Sequence, residues 1–150
     1  MMFKNTNCQE ELDISVSYKM HSLLSMLKLS VKKFEAIADG SNDRNIKMAF
    51  LGISMQFRQY ANELNAQLKS LKIGKTAYYS FLAPEDLFFE NSDSDVFTVC
   101  EKVESAITEA YMDILQNYMS YYFLKQILRN QLEAINGAFH KMKLLNLILS

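Results

Sequence analysis

The sequence predicts an all-α fold, a bundle of four antiparallel helices with a longer crossover between the second and third. Two observations carry this expectation. Apolar residues recur in steps of three and four over four stretches of more than twenty residues, the spacing that aligns side chains on one face of a helix. The 150 residues include only one Pro and four Gly, too few to punctuate a many-turned sheet, while nine Met, ten Phe and eight Tyr supply core volume. A chain of this length buries roughly 70% of its unfolded surface, so one domain with a real core suffices.

The first helix is expected over about 15–38, on the stripe Val16, Met20, Leu23, Leu24, Leu27, Val31, Phe34, Ile37 and Ala38. Residues 1–14 read as a flexible N-terminus, with a weak extended alternation at Leu12, Ile14 and Val16. Asp39 and Gly40 stop the helix, Gly40 through its access to the left-handed region, and Ser41 and Asn42 are placed to cap the next one. That second helix spans about 43–72 on Ile46, Ala49, Phe50, Ile53, Phe57, Tyr60, Leu64, Leu68 and Leu71, with a polar opposite face. The short connection lays it antiparallel against its predecessor.

Residues 75–95 form the longest break in the pattern, yet Tyr78, Tyr79, Phe81, Leu82, Leu87, Phe88 and Phe89 are too apolar for a free linker. They read as a crossover whose aromatic residues plug one end of the core, in preference to a ligand-binding lid, with a short helix opening at Pro84. Ser94 or Asp95 then caps a third helix over about 95–117. Its stripe is Val96, Cys100, Val103, Ile107, Ala110, Tyr111, Ile114 and Tyr118. A turn within 117–123, resting on Asn117 and Ser120, leads to the fourth helix over about 121–148, with Leu124, Ile127, Leu128, Gln131, Ile135, Ala138, Met142, Leu145 and Leu149 on one stripe. Four such helices with one longer connection describe a bundle with a single crossover better than a simple up-and-down one.

Two polar residues stand inside these apolar stripes. Glu104 follows Cys100 by four residues and precedes Ile107 by three, and Gln131 holds the equivalent place in the fourth helix. Carboxylates are rarely buried unless paired, hydrogen-bonded, protonated or bound to a metal, so Glu104 is where a function would first show itself. Its structural reading is a hydrogen-bonded core member paired with Gln131, Tyr111 or Tyr60. Cys100 reads as a small buried hydrophobe, and His21 as a boundary residue beside the first stripe.

Composition excludes several classes. Sixteen Lys and Arg stand against seventeen Asp and Glu, scattered along the chain, so the concentrated positive footprint that nucleic acid requires is missing. No window reaches the 18 or so apolar residues that span a bilayer, and the first residues lack the apolar run of a signal peptide. Two cysteines, Cys8 and Cys100, make no disulfide framework, which points to a reducing cytoplasm. Sequence motifs for phosphate loops, dinucleotide binding or a nucleophile elbow are absent.

The segment CEKVESAITEAYMDIL (100–115) carries a resemblance. It is similar to the third helix of a bacterial ferritin-like four-helix family catalogued as a domain of unknown function, which reads CExGEDxAxxxYxxAL. The match lies at Cys100, Glu101, Glu104 and Tyr111, with supporting patterns at Phe34, Ala38 and Phe50, YANEL (60–64) and RNQL (129–132). The resemblance covers residues 20–146 and implies a ferritin-like bundle, in which Glu from two helices and ExxH from two others hold iron or manganese. It makes Glu101 and Glu104 the metal candidates, with Glu63 or His140 as further donors. The chain itself contains no ExxH, and Leu29, Val31, Met55 and Phe139 occupy positions where the family's ligands are typical. The preferred expectation is therefore a non-catalytic bundle that associates with itself or a protein partner through a helix face, motivated by Leu144, Leu147, Ile148 and the tyrosine-rich stretch 118–122. The alternative is a carboxylate metal protein with a reduced ligand set.

Overall fold

The computed structural model describes residues 6–71, 95–117 and 121–149, with side chains described over 15–70 in the first of these segments. The expectations for the aromatic residues of the crossover, for Pro84 and for the turn at Ser120 fall outside the described residues, as does the side chain of Cys8. Among those described, the chain is all-helical: α1 (Thr6–Gly40), α2 (Arg44–Leu71), α3 (Val96–Asn117) and α4 (Tyr122–Leu149).

α1 begins at Thr6, well ahead of the start expected near Ser15. The reason lies in the sequence. Neither Gly nor Pro interrupts 6–15, and Cys8, Leu12 and Val16 continue the i, i+4 spacing, which outweighs the two-residue alternation at Leu12, Ile14 and Val16. At its other end Gly40 closes the helix without entering the left-handed region, and the Ser41 amide donates to the Ala38 carbonyl at 3.2 Å. The cap of α2 is Asp43 rather than Ser41 or Asn42. Its Oδ1 accepts from the amides of Asn45 at 2.8 Å and Ile46 at 3.1 Å, the second and third amides of the new helix, which are the ones a capping side chain reaches. Ser41 instead steadies the link by accepting from the Asp43 amide. Asp95 caps α3 as expected, through Oδ2 and the Phe97 amide at 3.2 Å.

The helices form a four-cornered bundle. α1 lies beside α2 and α3, and α4 lies beside α3 and α2; the pairs α1/α4 and α2/α3 face each other across the diagonal. Backbones run close over the longest stretch between α1 and α2 and over the shortest between α2 and α4. Ion pairs tie the first helix to its neighbours, Arg58 to Glu35 at 2.6 Å and Lys19 to Asp113 at 2.8 Å. The core stripes are buried as their spacing requires, from Val16 to Ala38 in α1 and from Phe50 to Leu68 in α2. At one level of the core Phe34, Phe57 and Phe139 meet edge to face with centroids 5.4–6.4 Å apart, and Phe50 bridges Phe34 to Phe97 across the diagonal. Phe97 and Phe139 stand outside the expected stripes, yet both are buried, because the apolar face of each helix is wider than a single row.

Two glycines sit in mid-helix without a packing reason among the described residues. A Cβ added at Gly52 in α2 or Gly137 in α4 meets none of them within 4 Å. Glycine in a helix is unfavourable relative to alanine because the unfolded chain loses more freedom on ordering. Gly52→Ala is therefore expected to stabilise the monomer by about 0.4–1 kcal/mol, read as a raised thermal midpoint at low protein concentration; an unchanged or lowered midpoint would show that something packs on that site.

Candidate functional site

Glu104 is not a core residue. Its carboxylate sits at the edge of the α3/α4 contact, where Lys143 Nζ reaches Oε1 at 3.2 Å and Oε2 at 3.3 Å, with the two side chains 22% and 52% exposed. The expected pairing with Gln131, Tyr111 or Tyr60 is thus replaced by a cation one helix over. A half-exposed pair of this kind contributes about 0–1 kcal/mol, because water competes for both charges. Sequence spacing placed Glu104 on the inner half of α3, and the register that brings Lys143 opposite it is invisible without the fold. Glu101 is exposed. Cys100, buried beneath these carboxylates, has its thiol pushed up to about 12, first by burial and then by Glu104 and Glu101, with Lys143 opposing. It is a packed thiol with no tendency to ionise near neutrality.

The buried polar centre lies two to three turns away. Tyr111 donates from its hydroxyl to Gln131 Oε1 at 2.7 Å. The Gln131 amide nitrogen donates to Glu63 Oε1 at 2.8 Å and to the Tyr60 carbonyl at 3.4 Å. Tyr111 is fully buried and Gln131 is 3% exposed, so this chain of bonds starts in the dry centre on α3, passes through α4 and ends on α2 at an exposed carboxylate. Gln59 donates a second, longer bond to Glu63 at 3.4 Å. The Tyr111 hydroxyl is held far above its ordinary value, chiefly by burial and then by Tyr60 and Glu63, and Tyr60 is raised for the same first reason. Both phenols stay protonated near neutrality, and the Tyr111 hydroxyl serves as a donor to Gln131.

Glu63 and Gln131 open onto the seam between α2 and α4, the loosest of the neighbouring pairs. An upper groove of about 470 Å³ is lined by Tyr60, Glu63, Ala66, Gln67, Ile127 and Asn130. A lower groove of about 690 Å³ continues along the same two helices, past Met48, Ala49, Gly52 and Met55 on α2 and Ala138 and Leu145 on α4. Both are open surface features. A small cavity of about 20 Å³ between Phe97, Cys100, Glu104 and Phe139 has room for one water.

No protein-family model matches this chain, nor does any curated protein. Among the described residues no three His, Cys, Asp or Glu side chains converge on a common point. Of the metal candidates, Glu101 and Glu104 stand one turn apart on α3 and line the same small cavity, whereas Glu63 is held elsewhere: Glu104 pairs with Lys143 and Glu63 with Gln131, and more than three turns of α4 separate those two partners, about 18 Å. His140 is exposed on α4, and His21 on α1 is partly buried, its imidazole lowered by burial and by Lys28. Thr108 Oγ1 is buried without a hydrogen-bond partner among the described residues. These residues do not fit a di-metal carboxylate centre, which takes four to six protein donors around ions about 2 Å from each oxygen, and no step of a reaction is derived through one. No described helix is long and apolar enough to cross a membrane.

Proposed function

We propose that this protein is a non-catalytic cytoplasmic helical bundle of ferritin-like connectivity that acts by associating through a helix face. One observation carries the reading: the buried Tyr111 and Gln131 are satisfied within the bundle, while large apolar side chains are left on the outside. Met48 and Met55 on α2 are 59% and 69% exposed, and Ile148 on α4 is 77% exposed, with Leu144 beside it. Methionine is an adaptable apolar contact, and large exposed apolar side chains on neighbouring helices offer surface for docking.

The connectivity rests on the order of contacts. Along α3, Glu104 meets Lys143 and Tyr111 meets Gln131, so α4 descends as α3 ascends. Along α2, Phe57 meets Phe139 and Glu63 meets Gln131, so α4 descends along α2 as well. This supports α2 and α3 running in the same direction, the order of a bundle with one long crossover between its second and third helices. The scattered charge supports a protein partner over nucleic acid.

The test compares the native protein with the triple variant Met48→Lys, Met55→Lys, Ile148→Lys. The native chain is expected to form a complex, with itself or with a defined partner, that light scattering after gel filtration shows to be lost in the variant while the helical far-ultraviolet spectrum is unchanged. A native chain that stays monomeric up to millimolar concentration and forms no stoichiometric complex overturns the reading.

A further inference from the structure

We propose that the α2/α4 seam is the interface of a twofold dimer in which Glu63 of each copy faces Lys141 of the other. The proposal rests on the association reading above and names its partner as a second copy of this chain.

Three observations converge on it. The first is charge. Glu63 lines the upper groove and Lys141 the lower one, so both belong to the same seam. Neither makes an ion pair with any described residue; Glu63 only accepts from Gln131 and Gln59. The hydrogen bond from the buried Gln131 holds the Glu63 carboxylate in place, so less side-chain freedom is lost when a cation arrives. A seam with an anchored anion at one end and an unpaired cation at the other complements its own inverted image.

The second is position. Glu63 sits at the level of Gln131, less than two turns before Gly137 on α4, about 9 Å along the axis. Lys141 lies one turn after Gly137, about 6 Å in the opposite direction. A twofold axis lying in the interface, across the helices at the level of Gly137, lays α4 antiparallel on α4 of the partner and keeps the seam over the seam. It exchanges these two levels to within the reach of a lysine side chain, and it does so twice. Glu133, one turn before Gly137, adds a second carboxylate at the level of the partner's Lys141.

The third is shape. Gly137 is exposed and has open space where a Cβ would stand, so it lets two copies of α4 approach at the axis. The same rotation carries Leu144 and Ile148, 46% and 77% exposed, to the level of the other copy's upper groove, where Ile127, Ala66 and Tyr60 offer apolar surface. A glycine that has no packing reason among the described residues of one chain acquires one between two.

Sedimentation velocity on the full chain, at low salt, tests this with charge exchange. The wild type is expected to dimerise, and Lys141→Glu or Glu63→Lys alone to weaken the dimer at least tenfold by setting like charges against each other twice. Mixing equal amounts of the two single variants is expected to restore dimers, because each mixed pair then has two attractive contacts, and the double variant restores them within one chain. Glu63→Gln, which keeps an acceptor for Gln131, guards against a folding defect and is expected to weaken the dimer to a smaller degree. A wild type that is monomeric throughout overturns the proposal, and so does a dimer indifferent to both reversals or one that mixing does not restore. The failures are distinguishable from failure of the association reading: a dimer insensitive to these charges removes the seam but leaves association standing, whereas a monomer that still loses a complex on apolar-to-lysine substitution removes only the second copy as partner.

Discussion

Phe34→Ala is expected to lower the free energy of unfolding by about 3–5 kcal/mol, measured from denaturant midpoints at an unchanged slope. The ring has no exposed surface and is in contact with rings from two other helices, Phe57 at 5.4 Å, Phe50 at 5.8 Å and Phe139 at 6.4 Å. Removing it forfeits the transfer of a large apolar group and leaves a void that surrounding aromatic rings, fixed by their own edge-to-face contacts, are poorly able to fill. For a domain whose whole stability is of the order of 5–15 kcal/mol, the variant sits close to the unfolding threshold. A loss below about 1 kcal/mol would mean that the cluster collapses into the space, and that the core at this level is plastic.

The second large effect belongs to the polar centre. Tyr111→Phe leaves Gln131 Oε1 buried without its donor, and Gln131→Leu leaves the Tyr111 hydroxyl buried without its acceptor; each is expected to cost about 1–3 kcal/mol, the desolvation of the orphaned group. The double variant removes both partners at once and is expected to cost less than the sum, with a coupling of about 0.5–3 kcal/mol in a double-mutant cycle. Additive losses would show that water replaces the missing partner, and hence that the centre is wetter than a 3% exposed glutamine implies.

These two sites also mark what was legible in the sequence. The all-helical class, the four elements and most of the buried stripes follow from three-and-four spacing, which is a property of each helix alone. The polar pair was partly legible: Gln131 stands out as a polar residue inside an apolar stripe, and Tyr111 as a stripe member with a hydroxyl that a buried partner must meet. Their bond to each other depends on the register of α3 against α4, which periodicity does not encode. Glu104 shows the cost of that gap. Its position on α3 is at the border between inner and outer face, and only the placement of Lys143 decides that it looks outward. The start of α1 differs because a polar terminus that reads as flexible over 1–14 still carries uninterrupted helical spacing from Cys8 to Val16, and the cap of α2 lies one to two residues later than expected because Ser41, Asn42 and Asp43 are all capable and only the carboxylate reaches the two free amides. The grooves along α2 and α4 had no signal in sequence at all, since they arise from how far two backbones stand apart.

The unequal closeness of the helices also bears on how the bundle opens. α1 and α2 are joined by residues 41–43 and lie together over the longest stretch, while α2 and α4 touch over the shortest. The molecule is thus two hairpins, α1 with α2 and α3 with α4, held along one side by Lys19 and Asp113 and along the other by the bonds of Gln131 to α2. Amide exchange should report a hinge-like opening in which the hairpins part first at the seam, with backbone protection in α2 and α4 collapsing together at a lower free energy than in α1. A single buried glutamine then acts as the latch of that door, and its loss would be felt as faster breathing before it is felt as unfolding.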